Sequence, residues 1–203
     1  MDLEVIQGLA SKHLRSRNAH HNREQGFIYY HGQRVAKLAV NLRKRLLPGE
    51  TTFDQVMIVA SYFHDVAKGI EPHSKFGSIV AREILADYCT SEELEQIATI
   101  IRHHQFREKR NDYSDCVKIV QDADILDHFG SVEIWMNFQH YAHEGGTLDD
   151  SIAFYRDDYA THAQKVRSLL NYPVSLQIFD EKDTFVREFA ARMALEGNGE
   201  FML

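Results

Sequence analysis

A histidine and an aspartate stand side by side in SYFHDVAKG, residues 61–69, at the end of an otherwise apolar helical pattern. A carboxylate taken out of water costs several kcal/mol unless a partner offsets it. His64 and Asp65 therefore need hydrogen bonds or a cation. Two further polar residues are aimed at the same interior. His31 lies four residues before Val35 on the stripe of Val35, Leu38, Leu42 and Leu46, and Asp124 extends the i, i+3, i+7 pattern of Val117 and Val120. Imidazole nitrogens and carboxylate oxygens together suit a borderline-to-hard divalent ion such as manganese, iron, nickel, cobalt, zinc or magnesium. Consecutive helical residues diverge by about 100°. His64 and Asp65 can thus share one ion only near a helix end or in a wide interhelical site, and Gly69 marks such an end.

The rest of the composition is compatible with that chemistry. The chain has 203 residues, 44% of them hydrophobic, enough to bury a core. Its 12 histidines are scattered from His13 to His162, as metal or phosphate chemistry would require and a terminal tag would not. Lys and Arg total 23 against 30 Asp and Glu, and the net charge of −7 argues against broad attraction to nucleic acid or anionic membrane. Cys89 and Cys116 lack CxxC spacing and read as reduced thiols. The acidic N-terminus has no continuous apolar run and no window approaches a membrane span, so a soluble cytoplasmic protein is expected.

The elements that must position these residues read as helices throughout, in one all-α domain without internal repeats. The spacing predicts helices over about Leu3–Ser16 and Phe27–Leu47. A third, opened by a Thr51/Asp54 capping box and closed at Gly69, buries Val56, Met57, Ala60, Phe63 and His64. A fourth covers Lys75–Tyr88, and a fifth, capped by Thr90 and Glu93, runs to about His104 along the stripe Leu94, Ile97, Ile101, with His103 one step round. A sixth starts near Cys116, and the tail after Ser131 is helical, with helices over Ser151–Asn171 and Asp180–Leu195. Trp135, Phe138, Tyr141, Phe154 and Tyr155 read as core aromatics, one or two of them available to a base-stacking pocket. The basic runs LRKRLL and REKR read as solvated helix ends able to guide an anionic nucleotide.

His31, then HD at His64 and Asp65, then Asp124 in DADIL, resembles the pattern of the HD superfamily of metal-dependent phosphohydrolases over roughly residues 29–127. YYHGQRVAKLA is similar to that family's first-histidine helix and HDVAK to its HD-x-x-K form. VQDADILD is similar to the QDADRLD run of its small nucleotide-hydrolysing bacterial members. The resemblance implies a single-domain helical HD-type bundle, with an HD core of about 27–130 and a C-terminal helical extension of about 131–203. It implies His31, His64, Asp65 and Asp124 as ligands of one divalent metal. Asp122 and Asp127 lie within a helical step of the last ligand, and the AD-x-L register favours Asp124. His73 in EPHSKFG and the pair His103 and His104 are similar to residues that bind a second metal in two-metal members. The HQF of His104 instead resembles an HSF element near the substrate in single-metal members.

Together these features lead to an expected mechanism. Asp65 serves as ligand and water-orienting base, Lys68 reaches a substrate phosphate, and His104 holds the phosphate or protonates the leaving group. The expected substrate is a small phosphorylated molecule, by the QDADILD resemblance a nucleotide. Ile125, however, stands where the family carries arginine, which removes a phosphate contact. No GxSxG elbow, GxxxxGK[ST] loop or GxGxxG fingerprint occurs. The alternative is a catalytically idle nucleotide-binding sensor or partner module, against which the intact set of four ligands speaks.

Overall fold

Helical periodicity and local capping build the elements in the order the sequence suggests. The computed structural model describes residues 1–17, 22–108 and 112–200. Among these there is no strand, and the chain forms a single all-α bundle. Helix α1 (Leu3–Leu14) is capped by Asp2, whose carboxylate accepts from the backbone N–H of Glu4 and Val5. Helix α2 (Phe27–Leu46) buries His31, Val35 and Leu42, with Leu38 and Leu46 half-buried beside them. Helices α3 (Asp54–Phe63), α4 (His73–Leu85), α5 (Ser91–His103) and α6 (Asp115–Asp127) complete the core, in which α2 packs on α3 and α6 while α5 packs on α3 and α4. The Thr90/Glu93 capping box forms as its sequence predicts. Helices α7 (Ser131–His143), α8 (Leu148–Asp157), α9 (Tyr159–Arg167) and α10 (Pro173–Gly197) follow, and α10 returns to touch α2 and α6. Among the described residues no helix is long and apolar enough to cross a membrane.

Several local expectations are corrected, each for an identifiable reason. Thr51 and Asp54 form no capping box. Phe53 is the N-cap of α3, and Asp54 is occupied by the guanidinium of Arg43, Nε to Oδ1 2.8 Å. That pair takes Arg43, the first arginine of LRKRLL, out of solvent, leaving it 5% exposed. Helix α3 ends at Phe63 rather than near Gly69. Beyond it the bonding shifts to i→i+3 turns, Val66 N to Phe63 O at 2.9 Å, Lys68 N to Asp65 O at 2.9 Å and Ile70 N to Ala67 O at 3.0 Å. Gly69 closes this segment with φ of 98°, and the Arg17 guanidinium donates to the carbonyls of Val66 and Lys68. The single helix expected over Ser151–Asn171 is two, α8 and α9, meeting at Asp158. Trp135 is a surface residue, 53% exposed, donating to Glu24, whereas Tyr155 is buried and Phe138, Tyr141 and Phe154 are half-buried.

Asp122, one of the two alternatives to Asp124, has a structural task. Fully buried, it accepts from the backbone N–H groups of Asn171 (2.9 Å) and Tyr172 (3.2 Å) and from the Asn171 amide (2.8 Å). It thereby ties α6 to the chain just before α10. Two residues of helix separate it from Asp124, about 200° of rotation, so the two carboxylates leave opposite sides of α6.

The closest approach of α2 to α3 depends on Gly32, next to His31. A Cβ there would meet Ser61 O at 2.8 Å and Tyr62 Cα at 3.1 Å, both backbone atoms. Gly32→Ala should therefore destabilise the fold by about 1–3 kcal/mol. Gly8→Ala in α1, where nothing lies within 4 Å of the new Cβ, should stabilise it by about 0.5–1 kcal/mol. Urea midpoints at unchanged m-value test both, and equal effects of the two substitutions would contradict the packing argument.

Candidate metal centre

Three elements of the core converge on one point. Helix α2 supplies His31, the residue after α3 supplies His64, the turn beyond it supplies Asp65, and α6 supplies Asp124. His31 Nε2 lies 3.1 Å from His64 Nε2 and 3.1 Å from Asp124 Oδ1. His64 Nε2 lies 3.8 Å from Asp65 Oδ2 and 3.7 Å from Asp124 Oδ1. The back of each imidazole is anchored. His64 Nδ1 faces the Ser61 carbonyl at 2.7 Å and can only donate to it. His31 Nδ1 faces Asp127 Oδ2 at 2.7 Å, and Arg34 holds that carboxylate through Nε (2.8 Å) and Nη2 (3.0 Å). These partners place the ring protons on Nδ1, so both Nε2 lone pairs aim at each other and at a carboxylate oxygen. Acceptor atoms packed this way repel unless a positive charge sits among them. The donor set therefore fits a divalent cation.

The electrostatics agree. Burial pushes His31 toward the neutral form, but hydrogen bonds with Asp124 and Asp127 and their charges lift its pKa to about 9. Burial would also raise Asp65, yet His64, Lys68 and His104 hold it well below the usual carboxylate range. Asp124 is likewise held ionised against burial, by the His31 hydrogen bond and the charge of Arg107. The pocket attracts positive charge, and in the ion-free protein a proton on His31 supplies it.

Asp65 faces two ways. Its Oδ1 lies 3.4 Å from His73 Nε2 and 3.7 Å from His104 Nε2. His73 Nδ1 is held by Glu71 Oε1 at 3.1 Å and His104 Nδ1 by the Ile101 carbonyl at 2.7 Å, so these rings also present Nε2 inward, 3.3 Å apart. Burial and the neighbouring His64 push His104 down to about 3 and keep it neutral. Asp65, His73 and His104 thus form a second group able to hold an ion, beside the group containing His31 and His64. His103 does not join it. Its ring packs on Tyr113 and Phe106, at centroid distances of 5.1 and 6.2 Å.

Lys68 Nζ sits 3.4 Å from Asp65 Oδ2, at the edge of a cleft of about 370 Å³ that opens over Asp65, His73, His104 and Asp124. Sequence reasoning missed two residues there. His128, four positions after Asp124, caps α6, donates from Nδ1 to the Asp124 carbonyl at 2.9 Å and stands beside His31 with ring centroids 4.5 Å apart. The i, i+4 spacing to Asp124 was its available signal. Arg107, from the run REKR, pairs with Asp124 through Nη2 and lines the cleft. A loop residue carries no periodicity by which to find it. Lys109 and Arg110 of that run lie outside the described residues. None of the five aromatics singled out from the sequence lines this cleft. A larger cavity of about 680 Å³ between α8 and α10 contains none of the His/Asp groups.

Comparison with known proteins gives several similar solved structures that run nearly the full length of the chain, among them the following three. An HD-superfamily hydrolase from Bacillus thuringiensis shares 22% identity at a TM-score of 0.69, covering 98% of this chain and 99% of its own. An HD superfamily hydrolase from an uncultured Thermotogales bacterium shares 20% at 0.65, covering 96% and 92%. Bacillus subtilis YpgQ, solved in complex with ADP, shares 19% at 0.63, covering 95% and 96%. No curated protein matches the chain significantly. The family model for the HD domain matches residues 28–128, the segment that carries His31, His64, Asp65 and Asp124. With its all-helical fold and its converging histidines and aspartates, the chain is an HD-domain protein.

Proposed function

We propose that this protein is a metal-dependent phosphohydrolase that cleaves a phosphoester or phosphoanhydride bond in a nucleotide or related small phosphorylated metabolite. The observation that carries the reading is Asp65: one carboxylate turned toward two histidine groups, at the base of a cleft edged by Lys68 and Arg107. His31, His64, Asp65 and Asp124 would hold one divalent ion, and Asp65 with His73 and His104 can hold a second. A bound divalent ion supplies the charge that lowers the pKa of water toward neutrality and offsets the negative charge of phosphoryl oxygens. The protein's own groups do the rest. Asp65, kept ionised, accepts a hydrogen bond from the attacking water and orients it. Lys68 and Arg107 now lean on Asp65 and Asp124; with those carboxylates engaged as ligands, the ammonium and guanidinium turn to the phosphate. His104, neutral with its lone pair inward, suits a ligand better than a leaving-group acid. Support for a nucleotide comes from the similar fold of YpgQ, which was solved with ADP.

Protein purified without chelator should contain manganese, iron, nickel, cobalt or zinc and release phosphate or pyrophosphate from members of a nucleotide panel. Asp65→Ala should lose about 10²–10⁴-fold in rate. A metal-free protein inert with every added divalent ion would end this reading, and bound metal and nucleotide without turnover would favour the sensor. Asp127→Asn, which removes the charge behind His31, should weaken metal binding by about 10–100-fold in equilibrium dialysis while the circular dichroism spectrum stays helical. Unchanged affinity would deny Asp127 that role.

Metal binding should also release protons. Below its raised pKa of about 9, ion-free His31 carries a proton that a ligand nitrogen cannot keep. Metal affinity should therefore climb with pH until about 9 and then level off. Calorimetry in buffers of different ionisation enthalpy should read about one proton released at pH 7.5. Zero release would show that His31 is neutral before the metal arrives.

A further inference from the structure

The lining of the cleft divides by chemistry. Asp65, Lys68, His73, His104, Arg107 and Asp124 make one part ionic. Ile125, Phe129, Val166 and Leu169 make another part apolar; two further imidazoles line the cleft, His128 beside the ligand His31 and His162 against Phe129. His162 and Val166 belong to α9 and Leu169 follows it, all outside the residues that match the HD domain. Phe129 is 3% exposed, and the His162 imidazole forms a near-parallel, offset stack with it, centroids 5.8 Å apart and planes 12° from parallel. His162 itself is exposed and lines the cleft, so its ring is braced at one side by buried Phe129 while remaining accessible from the cleft.

This surface suits one kind of group. Sugar hydroxyls laid against Ile125, Val166 and Leu169 would leave water without gaining hydrogen-bond partners. A planar heterocycle has only its faces to bury, and stacks on an imidazole backed by a phenyl ring. Among the described residues lining the cleft the one side-chain amide, Gln105, already donates to Ser74 Oγ at 2.9 Å. Stacking thus dominates over reading of base edges. Resting on the phosphohydrolase reading above, we infer that His162, supported by Phe129, is a specificity-determining residue that receives the nucleobase. The helical extension thereby selects base-bearing nucleotides over base-free phosphates, purines over pyrimidines by stacking area, and separates adenine from guanine little.

The test uses the manganese-loaded full chain and reads binding and turnover separately. Calorimetry compares ADP with inorganic pyrophosphate, and kinetics compares each nucleotide turned over with its base-free counterpart, ribose 5-phosphate or pyrophosphate. Wild type should prefer the base-bearing member. His162→Ala should lower the ADP-to-pyrophosphate affinity ratio about tenfold, acting on KM rather than kcat, and His162→Phe should restore it. An affinity ratio unmoved by His162→Ala, or no preference for ADP in wild type, overturns the inference. A base-dependent affinity in a protein that turns over nothing overturns the hydrolase reading and leaves the base contact standing.

Discussion

Four acceptor atoms crowded into a buried space, the Nε2 atoms of His31 and His64 and carboxylate oxygens of Asp65 and Asp124, set the constraint on which the rest of this structure depends. Such a cluster is unfavourable without a positive charge, and each member must be held from behind to stay. The fold supplies those supports one by one. The carbonyls of Ser61 and Ile101 fix His64 and His104, Asp127 fixes His31, and Arg34 fixes Asp127. All but the arginine pair are contacts at the rear of an imidazole, which leave the inward nitrogen bare. Ligand chemistry and scaffold are therefore one hydrogen-bonded assembly, and loss of a rear support should be felt at the metal.

Backbone geometry solves the problem of adjacent ligands. On a continued helix His64 and Asp65 would diverge. Helix α3 instead stops at Phe63 and its ladder gives way to i→i+3 turns, held by Arg17 from the segment after α1. Asp65 then reaches both histidine groups. The extension is coupled to the same centre through α6: Asp122 binds the chain before α10 on one side, Asp124 faces the ligands on the other, and Phe129 just beyond α6 meets His162 of α9. One helix thus positions a ligand, anchors the extension and leads into the apolar part of the cleft.

Much of this was legible beforehand. His31, His64 and Asp124 could be read from helical periodicity because each sits on an apolar stripe, where a polar side chain stands out, and Asp65 was legible from its place beside His64 in the HD pair that the family resemblance singles out. The Thr90/Glu93 cap was legible because its signal is local. The Thr51/Asp54 cap failed because Asp54 found a better partner in Arg43, eleven residues earlier, and a bidentate ion pair outweighs a single bond to a backbone N–H. His103 and His104 could not be separated by type. Their register did separate them, His104 on the core stripe and His103 one step round, and the α5 end turns His104 to Asp65 and His103 to Tyr113 accordingly.

The sequence by itself determined an all-helical chain and a histidine and aspartate set pointing into its core, because periodicity and capping act over a few residues and are written in residue type. Tertiary structure alone decided that Asp124 meets His31 at Nε2 while Asp127 holds it at Nδ1, that Arg107 from an aperiodic loop joins Asp124, and that His162 stacks beside Phe129. These depend on how helices dock, and docking brings together residues whose separation along the chain carries no signal.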